Sequence, residues 1–202
     1  MIRYRDAAVS PVVGVMLMLV VTIIIAAVVS AFSGSLVNEQ HKTPQTSISA
    51  SSIIQGFGGT EQSNGFLFEN TGGDTFALND IAVQLQTQDT KYTLTTADKV
   101  NWSDSAVCLP SGITYNGGYF QKVGNTSTID IAIAPGDKFM LYADQSSSAK
   151  SYAGYGDFAA SIKWKPVGVQ GGFSVYQNTK VQYKIIDKAS SRIISSGEVF
   201  LA

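Results

Sequence analysis

No ionisable side chain occurs between Ala7 and Asn38, and within that stretch residues 12–32 read VVGVMLMLVVTIIIAAVVSAF. A helix rises about 1.5 Å per residue, so about 20 consecutive apolar residues cross the hydrocarbon core of a bilayer. This run is long enough to do so. Ser10 supplies an N-cap hydroxyl and Pro11 a residue suited to the first helical position, which predicts a helix start near Pro11; Pro44 is the next hard stop. The β-branched stretch 20–25 is a poor helix former in water. In lipid, however, the backbone must satisfy its own hydrogen bonds, and only a helix does that within one segment. A cleaved secretory signal is the rival reading, because Val29-Ser30-Ala31 has the small-residue pattern of such sites. The run is too long for it, since signal cores span about 7 to 15 residues, and no helix breaker precedes the site. Arg3 and Arg5 precede the span, and Glu39, His41 and Lys42 follow it. The positive-inside rule therefore places the N-terminus in the cytoplasm and the remainder outside.

The rest of the chain has a different character. Overall, 14 Lys+Arg against 15 Asp+Glu give a net charge of −1, and charged residues amount to 14% of the 202, against about 25% in typical soluble proteins. That balance lacks the basic footprint that phosphate neutralisation needs, so nucleic acid is not an expected partner. One Cys and one His exclude a disulfide framework and imidazole- or thiolate-rich metal sites. No nucleophile elbow, zinc-protease helix, phosphate loop or dinucleotide fingerprint is present. A non-enzymatic protein without a catalytic residue, cofactor or metal is expected.

Beyond the tether the pattern is that of strands. Residues 47–54, 66–68, 81–85, 91–95, 129–134, 139–143, 160–164, 181–186 and 193–201 are short apolar or alternating runs, and Gly, Asn, Asp or Ser fills nearly every interval. The fold class expected is α+β: a long hydrophobic N-terminal helix followed by an antiparallel, Ig-like β-sandwich head. The strands at 181–186 and 193–201 read as a hairpin, and Pro135-Gly136-Asp137 reads as a tight turn. Residues 101–127, rich in Gly, Asn and Ser, read as a long exposed excursion.

Several side chains invite a functional reading. Thr22, Ala26, Ser30 and Gly34 recur at i, i+4, with Ala27, Ala31 and Ser35 on the next row, giving one helix face of small residues that suits close helix–helix approach in lipid. The bland alternative is the general abundance of small residues in membrane helices. Tyr115, Tyr119 and Phe120, and likewise Tyr152, Tyr155 and Phe158, offer either a contact surface or lids over the core. Asn101 and Asn125 open glycosylation sequons, meaningful only if the head lies outside the cell. His41 reads as a solvated stalk residue and Cys108 as a buried small residue. Asp74 and Asp80 suit turns better than a cation, since they lack the dense acidic spacing of a calcium loop.

The stretch Asp6-Ala7-Ala8-Val9-Ser10-Pro11-Val12-Val13-Gly14 resembles the N-terminus of archaeal type IV prepilins, of the adhesive-pilus rather than the motility-filament pattern. The segments Asn70-Thr71-Gly72-Gly73-Asp74, Leu78-Asn79-Asp80-Ile81 and Lys184 to Ser191 look similar to family segments too. The resemblance implies a leader of residues 1–7, removed by a prepilin peptidase between Ala7 and Ala8, a transmembrane and filament-core helix over 8–43, and an extracellular head over 44–202. In many bacterial type IV pilins the fifth mature position is Glu; here it is Val12. Registration by that carboxylate is therefore not implied.

These readings converge on an adhesion-pilus subunit that resides in the membrane before assembly. It then polymerises as a homo-oligomer into a surface filament with the aid of prepilin peptidase and pilus assembly machinery. The alternative is a monomeric, membrane-tethered extracellular binding module. An anchored hydrolase has no catalytic constellation to support it.

Overall fold

The computed structural model of the chain describes residues 11–36, 42–57, 63–88, 90–101, 103–104, 107, 109, 118–124, 131–152 and 156–202. Two compact units result, residues 1–41 and 42–202. In the first, Pro11 opens the helix α1 (Pro11–Leu36), 26 residues long, or about 39 Å at the α-helical rise. Every side chain from Pro11 to Phe32 is exposed, large ones included, from Val21 at 43% to Met18 at 72%.

The second unit is built from strands: β1 (Thr46–Ile53), β2 (Gly65–Gly73), β3 (Phe76–Ala77), β4 (Ile81–Gln86), β5 (Lys91–Thr95), β6 (Phe120–Lys122), β7 (Ala132–Ile133), β8 (Lys138–Tyr142), β9 (Gln145–Ser147), β10 (Lys150–Tyr152), β11 (Gly156–Phe158), β12 (Ser161–Trp164), β13 (Phe173–Tyr176), β14 (Thr179–Asp187) and β15 (Ile193–Leu201). Two four-stranded sheets, ordered β1-β2-β8-β6 and β15-β14-β4-β5, carry most of it; a third, β13-β12-β9, and the pairs β3-β7 and β10-β11 complete the strands described. The strand pairings within these sheets are antiparallel.

Period-two patterning explains the layers. On β14, Val181, Tyr183 and Ile185 are buried while Lys180 and Gln182 are exposed, as a strand with one wet face requires. Phe68 of β2 meets the edge of Tyr183 at 5.3 Å between centroids, so the two large sheets face each other. Tyr183 lies across its cross-strand neighbour Gly197, where a Cβ would stand 2.8 Å from the phenol oxygen. Its hydroxyl donates to the Ile48 carbonyl of β1 at 3.2 Å. Trp164 of β12 stacks on Phe66 of β2 at 5.4 Å, and Phe173 of β13 stacks on Tyr92 of β5 at 6.3 Å. The third sheet thus shares the apolar core of both large ones.

The expected α+β, sandwich-like head is present, and β5 spans the residues anticipated. The β14–β15 hairpin forms, closed by the Asp187 amide to the Arg192 carbonyl at 2.9 Å. Pro135-Gly136-Asp137 turns between β7 and β8, with the Asp137 amide on the Ala134 carbonyl at 3.0 Å. The reading of 101–127 as one exposed excursion is corrected where it is described: Leu109, Tyr119 and Phe120 are buried, and β6 pairs with β8. The apolar side chains pull the Gly-rich stretch onto the sheet edge, a gain that outweighs its turn-forming composition.

Tyr119 is fully buried and donates to Asp144 Oδ2 at 2.7 Å. Asp144, also fully buried, accepts the Lys165 amide on both oxygens at 3.1 and 3.2 Å. Burial raises its pKa above the ordinary carboxylate value; the bonds from Tyr119 and Lys165 oppose the rise and nearby Asp104 adds to it. Burial together with the Asp144 charge pushes the Tyr119 phenol up as well. A raised carboxyl pKa means the folded head holds the proton more tightly than the unfolded chain does. The stabilisation is complete below the unfolded pKa and is lost as pH rises through the folded one. Asp144→Asn removes this dependence and keeps an acceptor for Tyr119. Urea midpoints of the full chain in detergent, taken between pH 7 and the upper carboxylate range, should shift in favour of the parent over Asp144→Asn as pH falls.

Candidate functional site

Two regions gather the residues singled out by the sequence. The first is α1. Pro11 is its first residue, the position where a missing N–H costs nothing. Thr22 donates its hydroxyl to the Leu19 carbonyl at 2.8 Å, so this polar group is satisfied inside its own helix, as an apolar environment demands. Thr22, Ala26 and Ser30 lie exposed along one row, and Gly34 continues it in the last turn. Apart from that row, the surface between Pro11 and Phe32 is almost wholly aliphatic, with no polar face turned to water. Covering it with lipid or like helices recovers on the order of tens of kcal/mol.

The second region is a collar where the chain enters the head. Asn70 of β2 is completely buried at its centre. Its Oδ1 accepts the Thr46 hydroxyl at 2.7 Å and the Gly72 amide at 3.0 Å, and its Nδ2 donates to the carbonyls of Asp74 at 3.3 Å and Ile133 at 3.4 Å. One side chain therefore ties β1, β2, β7 and the following turn together. Gln45 and Asp74 exchange two bonds, backbone amide of Asp74 to Gln45 carbonyl at 2.9 Å and Gln45 amide to Asp74 Oδ2 at 3.1 Å. The close approach needs Gly73, at φ +106°, because a Cβ there would strike the Gln45 carbonyl. Thr43 and Ser190 share a hydroxyl hydrogen bond of 2.7 Å, and the Ser190 amide donates to Asp187 Oδ2 at 2.8 Å. Lys188 binds the Asn79 carbonyl through Nζ at 2.7 Å and the Asp80 carbonyl through its amide at 2.8 Å.

Of the head segments noted for their resemblance, 70–74 and 184–191 thus meet around residues 43–46, up to 147 positions away, and Lys188 ties 78–81 to the second of them. Asp74 serves as an acceptor in that collar, and Asp80 contributes its carbonyl to it. Among the described residues no group of three or more His, Cys, Asp or Glu side chains is placed to hold a metal. The exposed Lys42–Asp74 pair, 4.0 Å apart, adds little. The sequence singles out Asn70 only as part of a stretch that resembles a family segment, and its remote partners gave no signal that it is a hub.

The other candidates divide. Tyr119 and Phe120 are core residues rather than contact surface. Tyr152 and Phe158 fall on β10 and β11, and Asn101 is half-buried, its carbonyl accepting the Asp104 amide at 3.0 Å. Ala7, Ala8, His41, Cys108, Tyr115, Asn125 and Tyr155 lie outside the described residues.

Asn70→Ala takes its acceptor from the Gly72 amide and a donor from the Asp74 and Ile133 carbonyls beside a small cavity, while the Thr46 hydroxyl keeps the Gly72 carbonyl at 2.9 Å. With about 1–3 kcal/mol for each buried group left unpaired, the head should lose about 2–3 kcal/mol, read as a lower urea midpoint by tryptophan fluorescence of the full chain in detergent.

Residues 7–48 match the family model described as archaeal type IV pilin, N-terminal. A search of the curated proteins finds no match. The matched segment contains all of α1, the tether and the first residues of β1, including Thr46 of the collar. Over residues 7–48, then, this chain is similar to the N-terminal domain of the archaeal type IV pilins.

Proposed function

We propose that the chain is the structural subunit of an archaeal type IV adhesion pilus, polymerising through α1 after prepilin peptidase has cut between Ala7 and Ala8. The observation that carries this reading is the helix exposed on every side from Pro11 to Phe32. Such a helix is stable only in lipid or among like helices. Before assembly the first environment applies, with the N-terminus in the cytoplasm beside Arg3 and Arg5 and the head outside. After extraction by the assembly machinery the second applies, and repeated contacts of unclosed symmetry yield an open helical polymer.

The row Thr22, Ala26, Ser30 and Gly34 is the closest-packing face in this account, with backbones approaching where side chains are small. Asn101 and Asn125 are the glycan acceptors of the outward-facing head. The role is structural, with no catalytic step, cofactor or nucleic acid assigned to it.

Two measurements test the proposal. Mass spectrometry of native material should give a mature N-terminus at Ala8; an intact Met1 points to a plain anchor and a start near Phe32 to conventional secretion. Gly34→Leu should cut the yield of sheared filaments, seen by electron microscopy, at least tenfold while the head stays folded. Filament yield equal to the parent's removes the small-residue face from the account, and exclusively membrane-bound monomer in the parent favours the tethered binding module.

A further inference from the structure

A groove of about 790 Å³ opens on the head beside the outer face of the β14 sheet. Its lining side chains are amides, hydroxyls, one ammonium and one carboxylate, together with the ring of Tyr176; no aliphatic hydrophobic residue takes part. Gln86, Gln182 and Glu198 form a row across β4, β14 and β15, each directly opposite the next, so their side chains share one face at the inter-strand spacing of about 4.8 Å. Lys180 Nζ and Gln182 Nε2 each stand 3.5 Å from a Glu198 oxygen, which leaves the two lining charges balanced against each other. The side chains of Gln86 and Asn178 make no hydrogen bond among the described residues. Tyr176 closes one side at 50% exposure, beside the β13–β14 turn that Asn178 forms at φ +63°.

This chemistry selects its ligand. No aliphatic hydrophobic residue lines the groove to seat a lipid chain or a hydrophobic peptide segment, and without net charge it does not concentrate phosphate or an acidic polymer. Free amides present donors and acceptors together, matching adjacent hydroxyls that both donate and accept. A half-exposed tyrosine ring offers a rigid face with a polar tip to the C–H side of a sugar ring. We propose that the groove binds a neutral oligosaccharide, with Tyr176 as the stacking platform and Gln86, Asn178 and Gln182 as hydroxyl readers. The assignment gives the adhesive part of the proposed function a ligand class and rests on that part alone. Its test needs no filament, so failure to polymerise and failure to bind sugar are separate results.

The experiment is calorimetric titration of the full chain, held in a detergent without a sugar headgroup, with mannopentaose, cellopentaose and maltopentaose, and with a heparin-derived pentasaccharide as the acidic comparison. At least one neutral pentasaccharide should bind. Tyr176→Ala should weaken it about tenfold or more, and Gln182→Ala about fivefold, as loss of a central aromatic or a paired polar contact does. Both positions are exposed, and an unchanged circular dichroism spectrum confirms that the variants remain folded. No binding of any neutral sugar, binding of the heparin fragment alone, or neutral-sugar binding indifferent to both substitutions would overturn the proposal.

Discussion

An apolar helix with no polar face cannot remain in water, and everything distinctive about this chain follows from that constraint. Ordinary amphipathic helices cover one stripe against their own domain and wet the other. α1 has no such division, and all of its side chains from Pro11 to Phe32 are exposed. Its environment must therefore come from outside the chain, first as lipid and then, on the proposed reading, as copies of itself. Thr22, bonding back to Leu19, satisfies its hydroxyl within the helix itself.

The head meets the opposite requirement: its stability is self-contained. Phe68, Trp164, Phe173 and Tyr183 fill the space between the sheets in edge, stacked and tilted contacts. What the head supplies to the tether is a defined point of attachment. Asn70, Asp74 and Ser190 fix residues 43–46 through bonds to two separate parts of the fold, the segment 70–74 and the β14–β15 turn, and Gly73 allows the close approach.

The helix was legible because its signal is compositional and needs no partner to be read: 32 consecutive residues without a charge decide it. Strands β4, β5, β14 and β15 were legible by alternation. β13 was not, although Phe173 and Val175 turn inward in a period-two pattern, because Gly171 and Gly172 precede a run of only four residues. β9, β10 and β11 hold too few apolar side chains to show a period. Tyr119 was open to reading as surface because two glycines precede it; inside the head its hydroxyl is satisfied by Asp144, 25 residues further on. Sheet order was equally hidden, since β2 finds β8 across more than sixty intervening residues and β4 finds β14 across more than ninety. The collar shares that difficulty, being made of contacts whose partners are remote in sequence and individually ordinary.

Helical reconstruction of the native filament by electron cryomicroscopy tests the central claim most directly. The account predicts that residues 11–36 form the axial core, each helix surrounded by the same segment of neighbouring subunits, with the heads arrayed outside. A filament whose core lacks this segment, or a native surface protein found only as single copies with the helix still in the bilayer, would contradict it.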